Sequence, residues 1–259
     1  MRYHIDTIPV WDAMKLEGEC PLCALRRKLE LGEVDRYLGA SVMEPDTRIQ
    51  VNEKGFCARH HAMLFAAGNR LGHALMLHTH LKETEKRLEK PLERAGKAAS
   101  QYAGASLTAR LTAKGKDARR ELAQAAAEIR AMGQSCILCD SLAANMDRYT
   151  ATFFHLYEHD GEFRRKLEQS KGLCLPDAAM LLEKAADFLP ARLVGDFADC
   201  IIRLTRDNLT RTEKDIEWFT LKFDYRNQDK PWGDSRDAVE RTVNKLRGWC
   251  VGEEPNPRE

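Results

Sequence analysis

Six of the eight cysteines fall into motifs that repeat along the chain. Cys20-Pro21-Leu22-Cys23 is followed after 33 residues by Cys57-Ala58-Arg59-His60, and Cys136-Ile137-Leu138-Cys139 is followed after 34 residues by Cys174-Leu175-Pro176-Asp177. A Cys-x-x-Cys holds two thiolates on one turn, where both reach a single ion at ~2.3 Å, and a second pair from another element completes a tetrahedron. Cys57 and His60 stand three apart, so a helix beginning at Cys57 puts both on one face. Taken in chain order, Cys20, Cys23, Cys57 and His60 make one set of four soft or borderline donors, the composition of a structural zinc site.

Cys136, Cys139, Cys174 and Asp177 make the second set, with a carboxylate where the first has an imidazole. Aspartate is shorter than histidine and also suits an ordinary first helical turn. This second site is expected to be the weaker one unless His155, His159 or a water completes it. An open position there would favour a metal-dependent enzyme, with Glu158, Asp160 or His159 carrying protons. Oxidation of the thiolates would instead make a thiol–zinc redox switch. The leading expectation is a non-enzymatic binding or scaffold module with structural zinc, acting on an unknown protein or small-molecule partner. No phosphate-binding glycine loop, Ser-His-Asp set or His-Glu-x-x-His helix motif argues for catalysis.

Other cofactors fit less well. Ala24 and Asp140 stand where covalent haem attachment needs histidine. Neither unit holds four cysteine ligands for an iron–sulfur cluster, although a cluster with one non-cysteine ligand is compatible with the spacing. His61 points away from His60 and is the alternative ligand if the register slips by one. His73 and His80 read as histidines of an amphipathic surface, and Cys200 and Cys250, with no partner spacing, as core.

The elements that must carry these residues read as helical. Apolar positions recur three and four apart over 24–39, 58–93, 117–132, 140–158, 177–189, 196–223 and 235–247. Glu44-Pro45-Asp46 and Lys54-Gly55 bound an expected loop, with a short extended piece near Val51. A cap for the last helix is expected at Asp234 or Ser235. The duplication extends beyond the ligands: Lys54-Gly55 matches Lys171-Gly172, and Ala62-Met63-Leu64 matches Ala179-Met180-Leu181. The expected fold is therefore all-α, with two repeated helical units each organised around a cysteine-rich metal site. The first unit is expected at 1–93, a basic linker at 94–116, and the second unit with its aromatic-rich end at 117–259. Between Arg94 and Arg120 stand seven basic residues and one acid, read as a solvated linker. The aromatic stretch from Trp218 to Trp232 reads as a helix end stapled down by ring packing.

Bulk composition narrows the class. With 41 Lys+Arg against 40 Asp+Glu, the charge balance argues against a nucleic-acid or anionic-membrane partner. No apolar window approaches the length of a membrane span, and the opening residues lack a signal-peptide pattern, so a cytoplasmic protein is expected. In a reducing compartment, cysteines serve as ligands, reactive thiols or core residues more often than as disulfides.

The opening Tyr3-His4-Ile5-Asp6-Thr7-Ile8-Pro9-Val10-Trp11, Cys20-Pro21-Leu22-Cys23, Gly55-Phe56-Cys57-Ala58-Arg59-His60, Gly72-His73-Ala74-Leu75-Met76-Leu77-His78-Thr79-His80 and the Trp218-to-Gly233 stretch together resemble a bacterial family of unknown function over nearly the whole chain. That resemblance implies no activity. It does imply Cys-x-x-His in the second unit, from which Asp177 is a departure.

Overall fold

The described residues (5–16, 18–106, 108 and 113–252 of a computed structural model) hold eleven α-helices joined by short turns and 3-10 segments, and no strand occurs among them. The chain divides into two compact units, one of Met1–Leu29 with Ala143–Glu259 and one of Glu30–Leu142. This differs from the sequential halves expected at 1–93 and 117–259. The division falls inside α2 (Pro21–Leu38) and inside α7 (Ile137–His159), the helices that follow the two Cys-x-x-Cys motifs.

The discontinuous unit contains α1 (Thr7–Lys15), the start of α2, most of α7, α8 (Gly161–Glu168), α9 (Leu175–Phe188), α10 (Ala191–Leu221) and α11 (Ala238–Arg247). Phe153, Phe154, Phe163 and Phe197 are fully buried at its centre, with Phe153 edge-on to Phe163 at 5.1 Å. Helix α1 was not expected. It buries Val10, Ala13 and Met14 at the three- and four-residue spacing of one helical face, and Trp11 packs edge-on to Phe163. Helix α8, also unexpected, starts at Asp160, whose carboxylate accepts from the backbone N–H groups of Glu162 and Phe163.

The second unit holds the rest of α2 with α3 (Pro45–Lys54), α4 (Ala58–Ala66), α5 (Arg70–Ala103), α6 (Ala113–Met132) and the first residues of α7. Tyr37, Phe56, Leu64, Met76 and Leu138 form its core. The loop expected after Glu44 is the helix α3. Pro45 sits in its first turn, where a missing N–H costs nothing, and Val51 is buried inside the helix rather than extended. The continuous helix expected over 58–93 is two helices: Gly68 adopts φ 89°, and Asn69 caps α5 by accepting from the Gly72 N–H.

The expected linker is corrected as well. Residues 94–103 continue α5 and residues 113–116 open α6, and the two helices pack against each other. Ala98, Ala118 and Ala125 are buried there, so small side chains let the helices approach without the large apolar stripe that would have marked the segment. Arg94 pairs with Glu128, and Arg119 donates to the Tyr102 hydroxyl, which uses some of the basic charge within the hairpin. The remainder of the linker expectation, at 107 and 109–112, lies outside the described residues.

At the chain's aromatic end, Trp218 donates to the Pro231 carbonyl and Phe219 lies 5.7 Å from Trp232. The Lys222 ammonium donates to the carbonyls of Asn227, Gln228 and Lys230, which holds the turn closed. Asp237, not Asp234 or Ser235, stands at the N-cap of α11.

Candidate metal centres

All four two-residue motifs sit at helix starts. The carbonyls of Cys20, Cys57, Cys136 and Cys174 accept the first helical hydrogen bonds from Ala24, His61, Asp140 and Ala178, at 2.9 to 3.1 Å. Each motif's first residue therefore caps a helix (α2, α4, α7 or α9), and its second lies in that helix's first turn, on the same side. Helix N-termini carry partial positive charge, which favours thiolates and carboxylates at these positions. Gly55 (φ 63°) and Gly172 (φ 72°), each two residues before a capping cysteine, turn the chain into α4 and α9. A Cβ at Gly55 would lie 2.5 Å from the His80 imidazole.

The structure gathers the predicted ligands into two four-residue clusters, but not the two read from chain order. Cys20 and Cys23 meet Cys174 and Asp177, and Cys57 and His60 meet Cys136 and Cys139; within each cluster the donor atoms all lie within 4.8 Å of one another. The sets Cys20, Cys23, Cys57, His60 and Cys136, Cys139, Cys174, Asp177 are thus overturned as groupings. Each Cys-x-x-Cys meets the ligand pair expected for the other, and each cluster lies within one unit.

The first cluster is sealed. Cys20, Cys23, Cys174 and Asp177 are each at most 3% exposed. Asp177 Oδ2 faces all three sulfurs, 3.2 Å from Cys20, 3.5 Å from Cys23 and 3.1 Å from Cys174, while Cys23 and Cys174 Sγ are 3.6 Å apart. Its other oxygen, Oδ1, accepts from Arg26 at 2.8 Å. Burial alone would raise the Asp177 carboxyl, but the Arg26 bond and charge outweigh it and hold the group below its usual range. Burial pushes the Cys20 thiol well up; Cys23 is raised by its bond to Cys174, and Cys174 by its bond to Cys20. Three buried thiols beside a carboxylate cannot all ionise unless a cation joins them.

Helix α11 and the turn after it close this cluster. The Lys245 ammonium, buried, donates to the carbonyls of Glu19 and Lys171, one beside each ligand motif, and pairs with the Glu19 carboxylate at 3.1 Å. A Cβ on Gly248 would meet the sulfurs of Cys23 and Cys174 at 3.8 and 3.9 Å, and the backbone N–H of Trp249 donates to Cys23 Sγ at 3.3 Å. Nothing in the ligand motifs signalled Arg26, Lys245 or the Gly248-Trp249 turn, and Lys245, on the same side of α11 as the buried Ala238, read from the sequence as an ordinary surface lysine.

The second cluster is half open. His60 and Cys136 are buried, Cys57 is half-buried and Cys139 is exposed. His60 Nδ1 lies 3.3 Å from Cys57 Sγ, 3.2 Å from Cys136 Sγ and 3.4 Å from Cys139 Sγ, and the Cys57 and Cys139 sulfurs are 3.8 Å apart. His60 Nε2 meets Glu30 Oε1 at 3.2 Å, and Arg59 grips both Glu30 oxygens at 2.8 Å. A carboxylate behind the non-ligating nitrogen accepts its N–H and orients the ring so that Nδ1, once its proton is displaced, is the atom presented to a cation. Burial works against charge on His60, yet the Cys136 thiolate and Glu30 raise it to about 10, while the same contact lowers Cys136 to about 6. The two motifs are also tied through backbone: Ile137 N–H donates to the Gly55 carbonyl and Ser135 Oγ to the Lys54 carbonyl.

A tetrahedral zinc ion with Zn–S bonds of about 2.3 Å has S···S edges of about 3.8 Å and S···N or S···O edges of about 3.5 Å. The observed edges, 3.6 and 3.8 Å between sulfurs and 3.1 to 3.5 Å from sulfur to nitrogen or oxygen, are close to those values.

A model described as a family of unknown function, DUF6062, matches residues 1–253. The chain belongs to that family. No curated protein and no solved structure matches it. Within this DUF6062 chain the other expected candidates lie elsewhere. The His155 and His159 rings lie tilted against one another on α7 with centroids 4.4 Å apart, and they join neither cluster. His73 is buried rather than on the surface, 3.1 Å from His61. Cys200 is in the core as expected; Cys250 is exposed. No helix among the described residues is long and apolar enough to cross a membrane.

Proposed function

We propose that this DUF6062 chain is a two-zinc helical module in which the metal is structural and the protein serves as a binding or scaffold element. The observation that carries the reading is the pair of four-donor clusters, each built from two helix N-termini, whose donor atoms lie within 4.8 Å of one another and whose shortest edges are near tetrahedral values. Zinc would be held by Cys20, Cys23, Cys174 and Asp177 at one centre and by Cys57, His60, Cys136 and Cys139 at the other. Four protein donors leave no open position, the arrangement of structural rather than catalytic zinc. The metal-dependent enzyme alternative draws no support from Cys174 and Asp177, which are buried with three further ligating or charged groups around them.

Each ion would join segments distant in sequence. Structural zinc is worth ~10–16 kcal/mol in finger peptides, ample to decide whether two helix starts stay together. The test is elemental analysis of the protein purified without chelator. Two zinc ions per chain support the reading; a metal-free chain of unchanged thermal stability after Cys174→Ser and Cys136→Ser rejects it.

A further inference from the structure

We infer that the half-open centre is an oxidant-sensitive modification site at which Cys139 and Cys57 form a disulfide, while the sealed centre is protected. The inference deepens the zinc reading above, and its disulfide component stands on the separation and exposure of the two sulfurs.

The two clusters have nearly the same donors and differ in access. Cys139 is exposed and Cys57 half-buried, whereas Cys20, Cys23 and Cys174 are shielded by Arg26, Gly248 and Trp249. Thiol oxidation follows thiolate character and exposure. Zinc-bound sulfur is thiolate in both centres, so exposure decides which reacts. Cys57 Sγ stands 3.8 Å from Cys139 Sγ, and the two cysteines start different helices, α4 and, within its first turn, α7. Closing to a bond of about 2.05 Å needs side-chain rotation at two helix starts rather than movement of a helix. Cys136, the other sulfur near Cys139, is buried beneath His60, which lies 3.2 Å from it.

The oxidant is a hydroperoxide. The Cys139 thiolate attacks one peroxide oxygen, the O–O bond breaks and hydroxide leaves to become water, which gives a sulfenic acid. The Cys57 thiolate then attacks that sulfur, the S–O bond breaks, and a second hydroxide leaves and is protonated. Two thiolates lose two electrons and the peroxide gains them. The ion, left with Cys136 and His60 alone, dissociates. Reduction by a thiol reverses the sequence.

The experiment treats the zinc-loaded chain, carrying Cys250→Ser to remove the other exposed thiol, with hydrogen peroxide. Zinc release is followed with a chromogenic chelator and disulfides are mapped by mass spectrometry. Expected are a Cys57–Cys139 disulfide, loss of one of the two ions, Cys20, Cys23 and Cys174 still reduced, and recovery after thiol and zinc are returned. A Cys136–Cys139 disulfide, oxidation of the sealed centre at an equal rate, or sulfinic acid at Cys139 without a disulfide would overturn it. A chain that proves to hold no metal yet still forms Cys57–Cys139 sustains this site and rejects only the zinc reading. Because the mapping uses the intact cluster, the outcome does not depend on a ligand variant folding.

Discussion

Cys23 and Cys174 are 151 residues apart in sequence, and their sulfurs lie 3.6 Å apart in the buried cluster. That contact joins the first Cys-x-x-Cys to the last ligand pair, and its counterpart, Cys57 with Cys139 at 3.8 Å, joins the second Cys-x-x-Cys to the earlier pair.

The crossed grouping is tested by paired substitutions. Cys20→Ser with Cys174→Ser removes two donors from one centre, so one ion per chain should remain by elemental analysis. Cys20→Ser with Cys57→Ser damages both centres and should remove both ions. The sequential grouping requires the reverse pattern.

Chelator treatment should be biphasic. The centre with the exposed Cys139 releases its ion first, and the centre with Asp177 releases later, because a chelator must reach a sulfur or the ion itself. This reverses the order expected from ligand type alone, which placed the weaker site at the aspartate. Release of both ions in one phase would contradict it.

Arg26 supports Asp177 through a 2.8 Å ion pair and lies 4.0 Å from Cys23 Sγ. Three thiolates and a carboxylate around a divalent ion leave net negative charge, which the guanidinium offsets. Arg26→Gln should lower zinc affinity at that centre by roughly 10- to 100-fold, as loss of a ligand's hydrogen-bond partner does elsewhere. Competition with a chromogenic chelator measures it, and the half-open centre serves as the internal control.

Glu30 provides the pH test. Burial would raise its carboxyl from 4.5, but His60 and Arg59 outweigh that and hold it at about 2. A folded-state value below the unfolded one contributes stability above pH 4.5 that is lost as the pH falls toward 2. In denaturant melts with excess chelator, wild type should therefore exceed Glu30→Gln at neutral pH, and the difference should shrink under acid. A difference independent of pH would assign the effect to packing.

The candidate donor residues, their three-residue spacing and the helical class were legible in the sequence, because helix periodicity and ligand spacing are local properties. Gly55 and Gly172 belong with them: a glycine two residues before Cys57 and before Cys174 marks a left-handed turn that other residues resist. Helices α3 and α8 and the α5–α6 hairpin escaped for local reasons of another kind. Pro45 opened a helix instead of breaking one, α8 is short, and alanines pack two helices closely without a broad apolar stripe. What only the tertiary structure decided is which Cys-x-x-Cys meets which second pair. The two Cys-x-x-Cys motifs and the two later pairs offer nearly interchangeable donors at almost equal spacing, so both groupings satisfy the same coordination chemistry. Helices of 18 and 23 residues leave the two Cys-x-x-Cys motifs, rising about 27 and 35 Å, before the chain reaches the next ligand pair. Where those helices deliver the chain depends on the burial of cores such as Phe153 with Phe163 and Tyr37 with Phe56, and on Arg26, Glu30 and Lys245 at the cluster margins. Those are long-range contacts, and ligand spacing carries no record of them.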